Sequence, residues 1–289
     1  MLSRLVILKS KIEGLPDDHR FKPDCLFELS RLFYSAGNNA ECKRLLTHAL
    51  KLERERGNTP MVARLLTDLS DTNRDMGLLE EGIQQVKEGL EMYERLGHTV
   101  KQADSLIRLA WLMCIDQQLD AAEEATSRAI GLLEKGNQYK VCESHRILGY
   151  IYRSRGETEK AIHHYEVAIG IASSFNWHDA LFWAHCGLVG LCRTEGRLDD
   201  ASAHIEHAKS HVADNAYFLG RAMELQAEIW HEQHRLEEAR SEALRAADLY
   251  EKLGAAGDVI DCRELLQKIE KELNNPGAPG QLGFDCELL

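Results

Sequence analysis

Six positions in this chain, Gly37, Gly77, Gln117, Gly156, Gly196 and His234, follow one another at intervals of 40, 40, 39, 40 and 38 residues, and the residues around them repeat in register. Eight before each mark stand Leu29, Leu69, Leu109, Leu148, Leu188 and Gln226. Five after stand Cys42, Gly82, Ala122, Ala161, Ala201 and Ala239, and twelve after stand Ala49, Gly89, Ala129, Ala168, Ala208 and Ala246. An apolar stripe at helical spacing lies on each side of every mark. The mark itself suits a tight turn, because glycine takes positive φ without a Cβ penalty. Small residues in the later columns let neighbouring helices approach to about 8–10 Å. Each unit therefore reads as a helical hairpin that must stack on its neighbours to bury its apolar face.

The fourth unit carries Leu148-Gly149-x-x-Tyr152-x-x-x-Gly156-x-x-x-x-Ala161-x-x-x-Tyr165-x-x-Ala168. This segment resembles the tetratricopeptide repeat (TPR) consensus. Leu188 to Ala208 is similar, with Cys192 and Ile205 at the aromatic positions. The resemblance spans about residues 24–273 and implies an all-α, TPR-like right-handed superhelical solenoid of helical hairpins. A unit of about forty residues exceeds the usual 34, and such long-helix arrays resemble those attached to STAND/NLR-type signalling ATPases. No G-x-x-x-x-G-K-S/T motif occurs in this chain, so any such ATPase would lie outside it.

The ends are read from the same period. Residues 1–22 are expected to form a leading helix and turn, 23–255 six hairpins, 256–274 a capping helix and 275–289 a flexible tail. One period back from the first unit, Leu2 to Ile12 falls in a second helix whose first helix is missing. The chain is thus expected to be a piece of a longer array, or to begin with a half-unit cap. The apolar side of that helix, with Leu2, Leu5, Val6 and Leu8, is expected to be partly exposed and to mediate self-association or dock on a missing segment. Thr59-Pro60 reads as a cap followed by proline at the first helical position.

Charge and cysteine usage narrow the function. The net charge of 35 − 47 = −12 argues against a general binder of nucleic acid or of anionic membrane. Eight scattered cysteines without a C-x-x-C indicate a reducing, cytoplasmic setting. Catalytic signatures such as G-x-S-x-G and G-x-G-x-x-G are missing, so we expect no enzyme, no cofactor and no metal. His231-Glu232-Gln233-His234 is H-E-x-H, not H-E-x-x-H, and reads as a polar turn. His204, His207 and His211 share one helix face and read as solvated; Cys186 and Cys192 read as buried thiols.

Recognition remains. In TPR arrays the groove positions lie thirteen, ten, six, three and two residues before the mark. Carried over here, the resemblance gives Phe27, Arg31 and Tyr34; Arg64, Asp71, Arg74 and Asp75; Trp111 and Cys114; Glu143, Arg146, Tyr150 and Arg153; Trp183 and Arg193; and Arg221, Glu224, Glu228 and His231. Arginine with exposed aromatics is a hot-spot composition, and the expected partner-binding set is Arg146, Tyr150, Arg153, Trp183, Arg193, Trp111, Arg74 and Arg221. The competing reading pairs each arginine with its own helix, as Asp71 with Arg74 and Glu143 with Arg146. Among groove positions near Arg146, Arg153 and Arg193, only Glu143 is expected to oppose them. The positions that hold asparagine in chaperone-tail clamps hold Arg31, Asp71, Trp111, Tyr150, Gly190 and Glu228 here, which argues against a clamp for EEVD-type tails. The expected function is a noncatalytic protein- or peptide-recognition scaffold, the sensor or interaction region of a larger signalling protein, with a partner carrying acidic and apolar residues. The alternative is a receptor for a small molecule or signalling peptide. The chain's own tail, Phe284 to Leu289, also fits the acidic and apolar description.

Overall fold

The computed structural model describes residues 2–133, 136–212 and 215–274, which hold fourteen helices and no strand. The chain divides into two compact units, Met1–Lys140 and Val141–Leu289. The first contains α1 (Leu2–Glu13) and the pairs α2 (Lys22–Ser35) with α3 (Asn39–Glu55), α4 (Thr59–Asp75) with α5 (Leu79–Arg95), and α6 (Thr99–Ile115) with α7 (Leu119–Leu133). The second holds most of α8 (Gln138–Ser154), paired with α9 (Thr158–Phe175), then α10 (His178–Thr194) with α11 (Leu198–Val212), α12 (Ala216–Glu232) with α13 (Leu236–Leu253), and α14 (Ala256–Asn274).

The repeat columns form the core. Cys42, Ala49, Ala122, Ala129, Ala161, Ala168, Ala201, Ala208, Ala239 and Ala246 are all 2% exposed or less. The leucine column, Leu29, Leu69, Leu109, Leu148 and Leu188, is buried as well. Gln226, the polar member of that column, is also buried and donates from Nε2 to Ser202 Oγ at 3.3 Å.

All six marks adopt the left-handed conformation, with φ of 72° at Gly37 and Gly77, 58° at Gln117, 73° at Gly156, 71° at Gly196 and 57° at His234. The closing hydrogen bonds are alike whatever the residue: Asn38 N donates to Phe33 O at 2.9 Å and Gln118 N to Met113 O at 2.8 Å. Both are Schellman-type closures, which satisfy otherwise orphaned helix-end carbonyls. Gln117 and His234 hold the geometry against their own Cβ atoms. Gln117→Gly and His234→Gly are therefore expected to stabilise by about 1 kcal/mol each, read as a raised thermal midpoint, and Gly156→Ala to destabilise comparably.

The helix starts need one adjustment. Thr59 is already helical and Asn58 is the cap residue, so Pro60 sits one position further in than the sequence suggested. In α1, Ile12 is buried in the cluster that also holds Leu26 and Leu45, whereas Val6, Ile7 and Leu8 are exposed at 59%, 59% and 40%. The side chains of Leu2 and Leu5, and the tail 275–289, lie outside the described residues.

Candidate functional site

Residues three or four apart on a first helix share a face, and in the first unit α2, α4 and α6 bring such faces around a cleft of about 680 Å³. Phe27, Ser30, Leu46, Thr67 and Thr72 line it with apolar and small polar groups, and charged side chains of both signs complete its walls. Phe27 is buried, and the Arg64 guanidinium lies 4.3 Å from its ring centre. The Tyr34 hydroxyl donates to Asp75 Oδ2 at 2.5 Å. Burial, with that carboxylate beside it, pushes the Tyr34 phenol up to about 12. Arg74 reaches Asp71 at 3.3 Å and Asp75 at 2.9 Å. Arg108 bridges Asp71 and Asp104, the latter at 3.3 Å, and Lys140 meets Asp104 at 2.8 Å. Trp111 is half-buried. Cys114 is fully buried, its thiol pushed up to about 12, so it belongs to the core and not to a groove.

In the second unit the residues three before the mark extend across to the next first helix. Arg193 on α10 binds Glu228 and, from Nε at 3.0 Å, Glu232, both on α12. His231 on α12 meets Glu272 of α14 at 2.8 Å. Tyr34 to Asp75 in the first unit is the same contact, 41 residues apart in sequence. Arg193 is thus opposed by two carboxylates that the sequence reading did not place against it. Their register only becomes adjacent once consecutive first helices are laid side by side. Arg221 is held by Glu224 at 2.9 Å, and Glu224 is buried and accepts the Tyr250 hydroxyl at 3.1 Å. Burial raises the pKa of Glu224, and the Arg221 charge restrains the rise. Glu224 is therefore a core acid rather than a groove residue.

Arg153 breaks this ladder. The positions on α10 that would supply its carboxylates are Gly190 and Thr194. Its guanidinium lies 5.0 Å from the Tyr150 ring centre, and Nη1 sits 1.8 Å from where a Cβ on Gly190 would stand. A Cβ at this position would push the guanidinium tip out of its present seat. Among the described residues Arg153 forms no ion pair. Arg146 is half-buried on the same helix, and Trp183, also half-buried, packs edge-on against Phe182 at 5.3 Å and Phe218 at 5.9 Å.

Of the three histidines expected on a solvated face, His207 is exposed, whereas His204 and His211 are half-buried. His185 of α10 faces His204, His207 and His211 of α11, with ring centres 5.7, 5.7 and 6.1 Å away. Nδ1 of His185 and of His204 are enclosed without a hydrogen-bond partner. Among the described residues no three His, Cys, Asp or Glu side chains are placed to hold a metal ion. The thiol of Cys186 is pushed up to about 12 by burial, and Cys192 is buried, as buried thiols should be. In the H-E-x-H segment, His231 binds Glu272, Glu232 binds Arg193 and His234 forms the left-handed turn.

The sequence signal missed for the first-unit cleft lies nine residues before the mark. That column holds Glu28, Asp68 and Arg108 in the first three repeats, but Ile147, Gly187 and Leu225 in the last three. All three charged members line the cleft.

A profile described as the tetratricopeptide repeat matches residues 147–175. Comparison with curated proteins gives no matching sequence. Solved structures do match in fold. The apo form of RapI aligns at 17% identity and a TM-score of 0.67, covering 92% of each chain. A Rap protein complexed with Competence and Sporulation Factor aligns at 13% identity and 0.66, covering 92% of this chain and 79% of that one. A STAND protein with a tetratricopeptide repeat sensor, from Pyrococcus horikoshii, aligns at 16% and 0.61, covering 89% of this chain and 43% of that one. No helix among the described residues is long and apolar enough to cross a membrane.

Proposed function

The chain carries tetratricopeptide-type repeats, and we propose that it is a noncatalytic recognition scaffold whose first-helix faces take a peptide or protein segment bearing acidic and apolar groups. The observation that carries this reading is the gap in the carboxylate ladder at Arg153. Arg193 and His231 have carboxylates supplied by the next first helix, whereas Arg153, seated over Gly190 and beside Tyr150, meets none there. A guanidinium seated in this way can offer paired donors to a carboxylate from outside. Arg146, about two helical turns before Arg153 on α8, adds positive charge, and Tyr150 and Trp183 supply aromatic surface. Arg74, Arg193 and Arg221 are already paired within the chain, so we assign them to holding the face in shape, with Trp111 as an apolar element of the first unit.

The relatives in fold lend support: one Rap protein is crystallised with Competence and Sporulation Factor, and the repeats of the STAND protein are a sensor. We place the chain in the same kind of role, as the sensor or interaction region of a signalling protein in the cytoplasm. The exposed Val6, Ile7 and Leu8 edge of α1 is proposed as a surface for self-association. The first-unit cleft favours a second use, as a receptor for a small molecule or signalling peptide, because its volume falls in the range of about 300–1,000 Å³ common to ligand sites.

The test is an array of acidic peptides containing leucine and phenylalanine, probed with the whole chain. Arg146→Glu with Arg153→Glu is expected to cut capture about ten- to a hundredfold, the worth of one or two charge-assisted hydrogen bonds. Unchanged capture by a variant with a native circular dichroism spectrum would refute the assignment.

A further inference from the structure

Each acid in the first-unit cleft but one has a cation close at hand. Glu28 is 3.2 Å from Arg31, Asp71 is 3.3 Å from Arg74 and is also reached by Arg108, and Asp104 is 2.8 Å from Lys140. Asp68 differs. Its nearest ion-pair partner is Arg64 Nε, at 4.0 Å, and among the described residues its carboxylate accepts no hydrogen bond. Arg64 is meanwhile stacked on Phe27. Arg108 is committed to Asp71 and Asp104, and Lys101 on the cleft lining is exposed to solvent. The Asp68 side chain is 30% exposed and lines the cleft.

We infer that the first-unit cleft binds a peptide through a cationic nitrogen, with Asp68 as the carboxylate that receives it. This rests on the recognition reading above but concerns a different unit and the opposite charge. A half-buried carboxylate with no donor is poorly compensated, and the remedy is a proton or a cation brought by a ligand. The pKa of Asp68 is in fact raised, burial outweighing the pull of Arg108, Arg64 and Lys101. Leu32 and Tyr34, which also line the cleft and are 42% and 39% exposed, give the ligand's stem an apolar surface while its charged head reaches Asp68. Two groups of a peptide carry the required chemistry: its α-ammonium, and a lysine or arginine side chain.

Three bead-displayed hexapeptide pools separate these sources: free amino termini without Lys or Arg, acetylated termini with Lys and Arg, and acetylated termini without either. The full chain is expected to enrich one cationic pool at least tenfold over the acetylated, Lys/Arg-free control. Enrichment of the first pool assigns the α-ammonium, and of the second the basic side chain. Asp68→Asn, isosteric and uncharged, should lose the preference, and Asp68→Glu should recover part of it. Both variants are checked by thermal melting. Equal preference by Asp68→Asn, or no preference of wild type for either cationic pool, overturns the inference. Arg153→Gln distinguishes the two readings: cationic capture that survives Arg153→Gln and disappears in Asp68→Asn upholds this site independently of the acidic-peptide face. Capture of no peptide of any charge overturns both.

Discussion

Tyr165→Ala should lower stability by about 3–5 kcal/mol, the usual cost of deleting a buried aromatic ring. The ring is 1% exposed and stands between two glycines, Gly149 on α8 and Gly187 on α10. A Cβ at Gly149 would come within 2.7 Å of the ring, and one at Gly187 within 2.2 Å. Three helices are thus locked by one phenol ring pressed onto two bare backbones, with Ala161, Leu188 and Leu191 closing the cluster. Neither rigid backbone can fill the space the ring vacates, so the cavity persists and its full cost is felt. The reverse change should act at the same place: Gly187→Val forces the ring aside and should cost about 1–3 kcal/mol. Leu148→Asp and Ala168→Trp, both in buried columns of the same repeat, test the register from its other positions. The measurement is thermal or urea unfolding followed by circular dichroism. Melting of Tyr165→Ala within a degree of wild type would show that the repeat does not close around this ring.

The repeat was legible because its determinants are local and small. Positive φ at a turn and a missing Cβ at a helix crossing are needed in every unit, so they recur as columns, and even Gln117 and His234 fall in place by spacing alone. The site was less legible because long side chains act across repeats. Nothing in the sequence near Arg193 points to Glu228 and Glu232, which lie 35 and 39 residues on and become neighbours only when α10 and α12 are side by side. The same geometry gives Gly190 its meaning. Read as a groove position it lacks a side chain to bind with; in the structure its bare backbone is the seat of Arg153. Asp68 escaped notice for another reason, since its column carries core residues in the later repeats and was not among the groove positions implied by the family. The division into units at Lys140 and Val141 has no mark in the forty-residue period, which runs through it without a break.

Acidification from pH 7.5 to pH 5 should destabilise the chain through the histidines between α10 and α11. Burial, reinforced by His204, His207 and His211, brings the pKa of His185 down from 6.5 to about 4. His204, His211 and, in the preceding repeat, His145 move in the same direction, each chiefly through burial. A histidine with a depressed pKa in the fold binds its proton more readily when unfolded. Its contribution is therefore complete above about pH 6.5, and it is lost progressively as pH falls toward 4. For His185 the shift corresponds to a ceiling of about 3 kcal/mol at 1.36 kcal/mol per unit, and solvent access to a half-buried ring brings the expectation to about 1–2 kcal/mol. Asp68, Glu224 and Asp261 have raised pKa values through burial and work the other way, since protonation relieves them as pH falls. The quantity to read is accordingly a difference. His185→Phe removes the titrating ring but keeps an aromatic in its place, so its loss of stability between pH 7.5 and pH 5 should be about 1–2 kcal/mol smaller than that of wild type. Parallel pH profiles for the two chains would mean that His185 titrates normally and that its enclosed Nδ1 is reached by water.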